Sequence, residues 1–347
     1  VQTETLSLAF VIFLFSELII SYARKKIRII QISIALILAT WIRLDNIFLC
    51  FPVAVACFYI HNIRTALLKG ILICSLFSSS WGLWTLRNIN NNLSTLLPQD
   101  MIMPDGSRSP SGYLSWTKTW ITHEYEKPGS LWGVNRKIYL NISIPDYAYG
   151  SEEEKKQISI LINELKKFNG KDFPEFIDNK FREIANLKKT NDPVKYWLIN
   201  PAYRTIRMWT NPFSSFGWPN EIPSQGLSHT ERLNTAKGDF NLLLQKVKKY
   251  PYHSISKGVN ASYRLLITVI FLFSIYLILR NYKKSFLMYL FSIIIILIIS
   301  RTIFFGINAN FETRYLLTII PLMETLSTLT IYKRFFIKEI NTKLTNS

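Results

Sequence analysis

Apolar residues in this chain fall into long unbroken runs rather than the one-sided stripes of helices at a protein surface. Between Glu4 and Arg24, Asp45 and Arg64, Lys69 and Arg87, Arg264 and Arg280, Lys284 and Arg301, and Arg314 and Lys333, almost every residue is apolar, small or hydroxylated. A helix of about 20 residues crosses the hydrocarbon layer, and terminal Arg, Lys and Tyr side chains snorkel to cover a shortfall. The stretch SFLMYLFSIIIILIIS, Ser285 to Ser300, has no polar face, which argues against a core helix of a soluble domain. A seventh and shorter run, Ile29 to Ile42, spans tilted or only dips in. The pattern therefore predicts a mainly α fold, a polytopic transmembrane helix bundle carrying a large extracytoplasmic, mostly helical domain.

Four helices are expected within residues 1–87 and three within 259–334, flanking an extracytoplasmic domain at 88–258 and ending in a cytoplasmic tail at 335–347. Loop charge sets the orientation, because short cytoplasmic loops carry excess Lys and Arg. ARKKIR (Ala23 to Arg28), HNIRTALLKG (His61 to Gly70), RNYKK (Arg280 to Lys284) and the tail from YKRFFIKE (Tyr332 to Glu339) read as cytoplasmic. Val1, the RLDN turn (Arg43 to Asn46), the long segment from about Asn88 to Gly258 and NANFETR (Asn308 to Arg314) then lie outside. The resulting localisation is the cytoplasmic membrane, multi-pass, with the large loop on the extracytoplasmic side.

Within that loop, LPQDMIMPDGSRSPSG (Leu97 to Gly112) is punctuated by Pro and Gly and could fold over a site; its Asp100 and Asp105 fit turn formation better than acceptor contacts. Ser151 and Glu154 form a capping box, and the helix it opens runs through ISILINELKKF (Ile158 to Phe168) to a stop at Gly170. A second helix opens at Pro174 with Phe176, Ile177, Phe181 and Ile184 on one face. A third opens with Asp192 as cap and Pro193 in its first turn. It continues through VKYWLINPAYRTIRMWTNPFSSFGWP (Val194 to Pro219), where aromatic residues alternate with Lys195, Arg204 and Arg207. That mixture fits the outer bilayer surface. It fits packing against the spanning bundle equally well, and stacking of sugar rings is a third reading. A last helix, near Glu231 to Lys249, leads back into the membrane.

The formal charge of +18 is accounted for by juxtamembrane anchors and the long loop, and no compact basic stripe suggests a nucleic-acid partner. Cys50, Cys57 and Cys74 sit in apolar runs as small apolar residues, so no disulfide framework is expected. His61, His123, His229 and His253 are scattered without metal-ligand spacing, and neither a metal nor a cofactor is expected. The chemical signal lies in charges beside the apolar runs: Arg43 with Asp45, Arg87, Arg301, and the Glu312, Arg314, Tyr315 group. Each could be an interfacial anchor; several guanidinium groups converging at one depth suit an anionic, lipid-linked group such as a phosphate. Glu17 and Glu324 lie inside apolar runs, where protonation or pairing within the bundle is expected.

Three strings resemble a known family. WGLWTLRN (Trp81 to Asn88) resembles the PW-x-x-RN element of bacterial glycosyltransferases of the GT-C fold, and ETRYLLTIIP (Glu312 to Pro321), read as opening a late spanning helix, resembles their E-x-RY-x-x-x-x-x-P element. LATWIRLDNIFLCFP (Leu38 to Pro52) is similar to their hydrophobic turn around T-R-P, with Leu44 in place of the proline. The nearest resemblance is to glycosyltransferase family 39, the protein-mannosyltransferase-like and aminoarabinose-transferase-like enzymes. It implies inverting transfer of a sugar from a polyprenyl-phosphate donor to an extracytoplasmic acceptor, a glycan, lipid or protein. It also implies donor-phosphate contacts for Arg314, Tyr315, Glu312, Arg87 and Arg43. The family's catalytic aspartate lies in the first outer loop, a stretch expected upstream of Val1; TETL (Thr3 to Leu6) resembles a later element, so the chain reads as a fragment inactive by itself. A transporter or lipid-carrier-binding protein without transferase activity is the alternative, with Glu17 and Glu324 as pathway residues. Against it stand one very large loop and no evident internal repeat.

Alternating loop charge makes the orientation testable. Of cysteines introduced at Ser130 and Lys283, only the first should react with an impermeant thiol reagent added outside; labelling of both, or the reverse, would overturn this orientation.

Overall fold

The computed structural model describes residues 2–90, 110–123, 126, 142, 144–168, 173–210, 240–281, 285–309, 313–316 and 318–345. The described part of the chain is mainly helical and, among those residues, contains no strand. The apolar runs become α1 (Gln2–Ala23), α2 (Ile29–Ile42), α3 (Cys50–Ile60) preceded by a 3-10 turn (Leu44–Leu49), and α4 (Ile63–Asn90). Beyond the central domain come α10 (Pro251–Asn281), α11 (Phe286–Ile307) and α12 (Ile320–Thr345).

Four helices, α1, α4, α10 and α11, are long and apolar enough to cross a membrane. The other three predicted runs are helical but fall short on length or composition. At about 1.5 Å per residue, α2 reaches ~21 Å against a hydrocarbon layer of ~30 Å. In α12, Glu324, Lys333 and Arg334 interrupt the apolar sequence. The E-x-RY string also differs from its expected place: Thr313–Leu316 is a short 3-10 turn, and the helix proper starts at Ile320.

Polar contacts tie the helices together at each end of the bundle. At one end Tyr289, near the start of α11, donates from its hydroxyl to the Leu18 carbonyl at 2.9 Å and stacks on Tyr22 at 4.4 Å. Beside them Arg28 pairs with Glu17 at 2.8 Å, which supplies the partner expected for that intramembrane acid. At the other end the RLDN turn meets the close of α11. Its Asn46 is buried, donating to Ser7 of α1 and to the Ala39 carbonyl, both at 2.8 Å. The second acid inside a predicted apolar run, Glu324 of α12, accepts a hydrogen bond from the Tyr263 hydroxyl of α10.

The central domain builds on α5 (Ser111–Thr117), α6 (Glu152–Lys167), α7 (Glu175–Asn191) and α8 (Asn200–Thr210), with α9 (Phe240–Lys249) leading into α10. The Ser151 hydroxyl accepts from the Glu154 amide at 3.1 Å, and Glu154 returns by accepting from Gly150 at 2.7 Å, a capping box shifted by one residue. Asp192 caps as expected, accepting from the Lys195 amide at 2.9 Å, and a π-helical turn (Lys195–Ile199) joins it to α8. On α7, Ile177, Phe181 and Ile184 are buried against α5, but Phe176 faces outward at 64% exposure. It lies next to Ile177 in sequence and so points about 100° away on the helix. Of the predicted last helix only Phe240–Lys249 lies within the described residues.

Among the contacts that hold α5 and α7 together, Asp178 accepts from the Gly112 and Tyr113 amides, both at 2.9 Å, so a carboxylate of one helix caps the other. The backbones close so tightly that a Cβ on Gly112 would lie 1.9 Å from the Asp178 carbonyl oxygen. Gly112→Ala should therefore force the helices apart and cost about 1–3 kcal/mol or more, read as a lowered thermal midpoint of the purified chain in detergent. An unchanged midpoint would show that this approach is not required.

Candidate functional site

At the end of the bundle formed by the RLDN turn and the close of α11, charged side chains meet deep in apolar surroundings. Arg301 lies six residues before Ile307, the last residue of α11, or ~9 Å inside the helix end. It is 1% exposed. One terminal nitrogen, Nη1, donates to the Thr318 hydroxyl at 2.7 Å; the other, Nη2, donates to Oδ2 of Asp45. Its Nε is buried with no hydrogen-bond partner among the described residues. Arg43 holds the other oxygen of the same carboxylate, with Nε 3.0 Å from Oδ1. Two guanidinium groups thus share one aspartate.

Aromatic rings wall this cluster. The Arg43 guanidinium sits 5.6 Å from the centre of the Tyr315 ring, which stacks on Phe305 at 4.1 Å. The Arg301 guanidinium lies 5.8 Å from the Phe305 ring centre. Such faces attract cations and exclude water, which strengthens the charge interactions beside them. The local sequence explains the arrangement. Extended backbone at Arg43 ends α2, and the 3-10 turn that follows brings Asp45 and Asn46 in against α11 and α1.

Of the five predicted site residues, Arg43 and Tyr315 come together here. The backbone of Arg314 is in the adjoining 3-10 turn, while its side chain and all of Glu312 lie outside the described residues. Arg87 is exposed near the end of α4, its guanidinium 5.6 Å from the Trp84 ring centre, and Trp84 in turn contacts Trp41 of α2. Arg301 and Asp45, flagged in the sequence as end-of-helix charges, prove to be the centre of the cluster. Their sequence separation of 256 residues hid the pairing.

A second buried guanidinium lies close by. Arg204 of α8 is 1% exposed and donates to three backbone carbonyls, those of Ile121 at 2.7 Å, Gly306 at 3.1 Å and Lys118. Burial lowers its pKa to about 10, so the group stays charged at neutral pH. The sequence left its stretch open between the bilayer surface and packing against the spanning bundle; Arg204 itself does the latter, tying the central domain to α11. Glu126 was missed. Burial alone would raise its pKa, but hydrogen bonds from His123, Tyr147 and the Thr122 and His123 amides outweigh that and hold it below the ordinary carboxylate value. The Thr122 hydroxyl and Oε1 of Glu126 both lie at Nδ1 of His123, 2.9 and 3.0 Å away, so the group knots a loop. Among the described residues, no group of His, Cys, Asp and Glu could hold a metal ion.

No known family, curated protein or solved structure matches the chain, so the site is read from its own geometry.

The shared carboxylate predicts coupled mutations. Asp45→Asn should destabilise the chain by about 3–5 kcal/mol by leaving the buried Arg301 without its counter-charge, and Arg301→Gln by less, because Arg43 still answers Asp45. The double variant should lose clearly less than the sum, measured by thermal unfolding in detergent. Strictly additive losses would show that the two do not act as a pair.

Proposed function

We propose that the chain is part of a membrane glycosyltransferase and that the Arg43–Asp45–Arg301 cluster belongs to the seat for the phosphate of a polyprenyl-linked sugar donor. The observation that carries this reading is the convergence of two guanidinium groups on one carboxylate, walled by Tyr315 and Phe305, at a helix end of the bundle. A polyprenyl phosphate keeps its tail in the bilayer and its anionic head at such a level. Transfer breaks the bond between the sugar's anomeric carbon and a phosphate oxygen while an acceptor oxygen forms a new one, so negative charge grows on the leaving phosphate. Cations fixed beforehand in a dry site stabilise that charge without having to reorganise.

Asp45 has a definite part in this scheme. It holds Arg43 and Arg301 in position before any ligand arrives, as positioning carboxylates do for catalytic cations. Arg314, one residue before Tyr315, and Arg87, at the end of α4, are the further cations that the family resemblance assigns to the same phosphate. In this reading the large central domain faces the extracytoplasmic side and receives the acceptor. The transporter alternative is weakened by one pair of facts: Glu17 is answered by Arg28 and Glu324 by Tyr263, as structural acids are.

The test uses undecaprenyl phosphate as the probe and the full chain in lipid nanodiscs. Arg43→Gln and Arg314→Ala should each weaken its binding by about tenfold or more, the value of a charge-assisted contact of ~1.5–3 kcal/mol. Arg314→Lys should recover only part, because an ammonium cannot reproduce the two-pronged fork. Affinity unchanged in both Arg43→Gln and Arg314→Ala would overturn the assignment.

A further inference from the structure

We propose that α8, with the π-helical turn before it, is an interfacial helix whose outward face lies in the bilayer leaflet at the Arg301 end of the bundle. This does not rest on the transferase reading. One stripe of α8, made of Asn200, Pro201, Arg204 and Met208, is buried against its own protein. The opposite face carries Leu198, Ile199, Ala202, Tyr203 and Ile206, all exposed. A helix apolar on its solvent side as well as its core side needs a second apolar surface to cover it.

The position of α8 says which surface that is. Near its start, Pro201 and Thr205 press on Gly306, where a Cβ would come within 2.6 Å of the Thr205 hydroxyl oxygen and 3.0 Å of the Pro201 carbonyl oxygen. Near its end, the Trp209 indole donates to the Thr302 hydroxyl at 3.2 Å, and Arg264 of α10 donates to the Met208 and Trp209 carbonyls at 3.3 and 3.1 Å. Between Pro201 and Trp209 the contact point on α11 therefore moves four residues back from the helix end, or ~6 Å toward its middle. The helix slopes down α11, one of the four helices long and apolar enough to cross a membrane, and touches α10, another.

The outward face of α8 is thus continuous with the exposed apolar side chains of α10, among them Leu265, Leu266 and Val269. Lipid covers that belt if α10 crosses a membrane, and it covers Ile206 at the same level. The charge pattern agrees. From Val194 to Thr210 there is no acidic residue, while Lys195 and Arg207 flank the apolar face and can reach anionic headgroups.

The test places a fluorescent label at Ile206→Cys in the full chain after replacing Cys50, Cys57 and Cys74 with alanine, reconstituted in vesicles of phosphatidylcholine and phosphatidylglycerol. A label at Glu164→Cys on the exposed side of α6 is the control. Lipids brominated in the acyl chain should remove most of the emission at position 206 and little at 164, and aqueous iodide should do the reverse. Ala202→Cys on the same face reads the same outcome should the Ile206 variant fail to fold. Iodide quenching at 206 matching that at 164 would overturn the proposal by placing the face in water. Protection from both quenchers would overturn it too, by showing that protein and not lipid covers the face.

Discussion

A guanidinium set about two turns inside an apolar helix cannot stay there unanswered, and much of this fold follows from answering Arg301. Removing an ion from water costs several kcal/mol even after relaxation, and the cost is recovered only by close, hydrogen-bonded partners. Asp45 supplies the opposite charge and Thr318 a neutral acceptor. Both stand on turns, and both turns must then press against α11. Asp45 can do so because α2 stops early and the chain passes through a 3-10 turn before α3. The short α2–α3 pair, which reads as two marginal spans by length alone, is the geometry that delivers this carboxylate.

Arg204 solves the same problem by another route. Its charge is met by three backbone carbonyl oxygens, two from one short turn of the central domain, Lys118 and Ile121, and one from Gly306 of α11. Carbonyl dipoles cost nothing to bring as ions, and at the ends of helices they need donors in any case. The result is a tie between the domain and the bundle that requires no acid. Three acids of the domain are committed elsewhere: Asp178 caps α5, Glu126 knots the loop around His123, and Glu154 receives the Trp116 indole and the Lys188 ammonium. Burial lowers the Lys188 pKa, an effect the facing Glu154 counters. These three carboxylates serve the architecture of the domain, whereas Asp45 at the bundle end answers two guanidinium groups at once.

The parts legible in the sequence were those set by local rules. The apolar runs, the Ser151 cap, the Asp192 cap and the pairing expected for Glu17 and Glu324 all depend on neighbours along the chain or on the cost of a lone charge in an apolar helix. What escaped were contacts between residues far apart in the chain. Arg301 was visible as a helix-end charge, yet nothing local could say that Asp45, rather than water or lipid phosphate, would meet it. Arg204 looked like one more basic residue in an aromatic stretch, because the same composition serves a membrane surface and a packed interface. Phe176 was read as core since an apolar residue beside a helical stripe matches the period loosely; the start of a helix has too few turns to fix its face. Gly112 and Gly306 gave no signal, because the need for a missing Cβ arises only when two backbones meet.

Arg301 and Thr302 are consecutive on α11, and that adjacency joins the two halves of the molecule. Arg301 turns toward the Asp45 cluster, while Thr302 accepts the Trp209 indole that seats the end of α8. A helix is stiff over so short a distance, so any shift of α8 along α11 acts on the segment that carries the buried guanidinium. Packed interfaces of this kind move between discrete arrangements and do not deform smoothly. The central domain is attached to α11 at Gly306, through Arg204, and at Thr302, through Trp209, both within about one and a half turns of Arg301. Whatever the central domain engages is therefore mechanically close to the charge cluster, although the two are built from segments more than 150 residues apart in the chain, Asp45 on one side and Trp209 on the other.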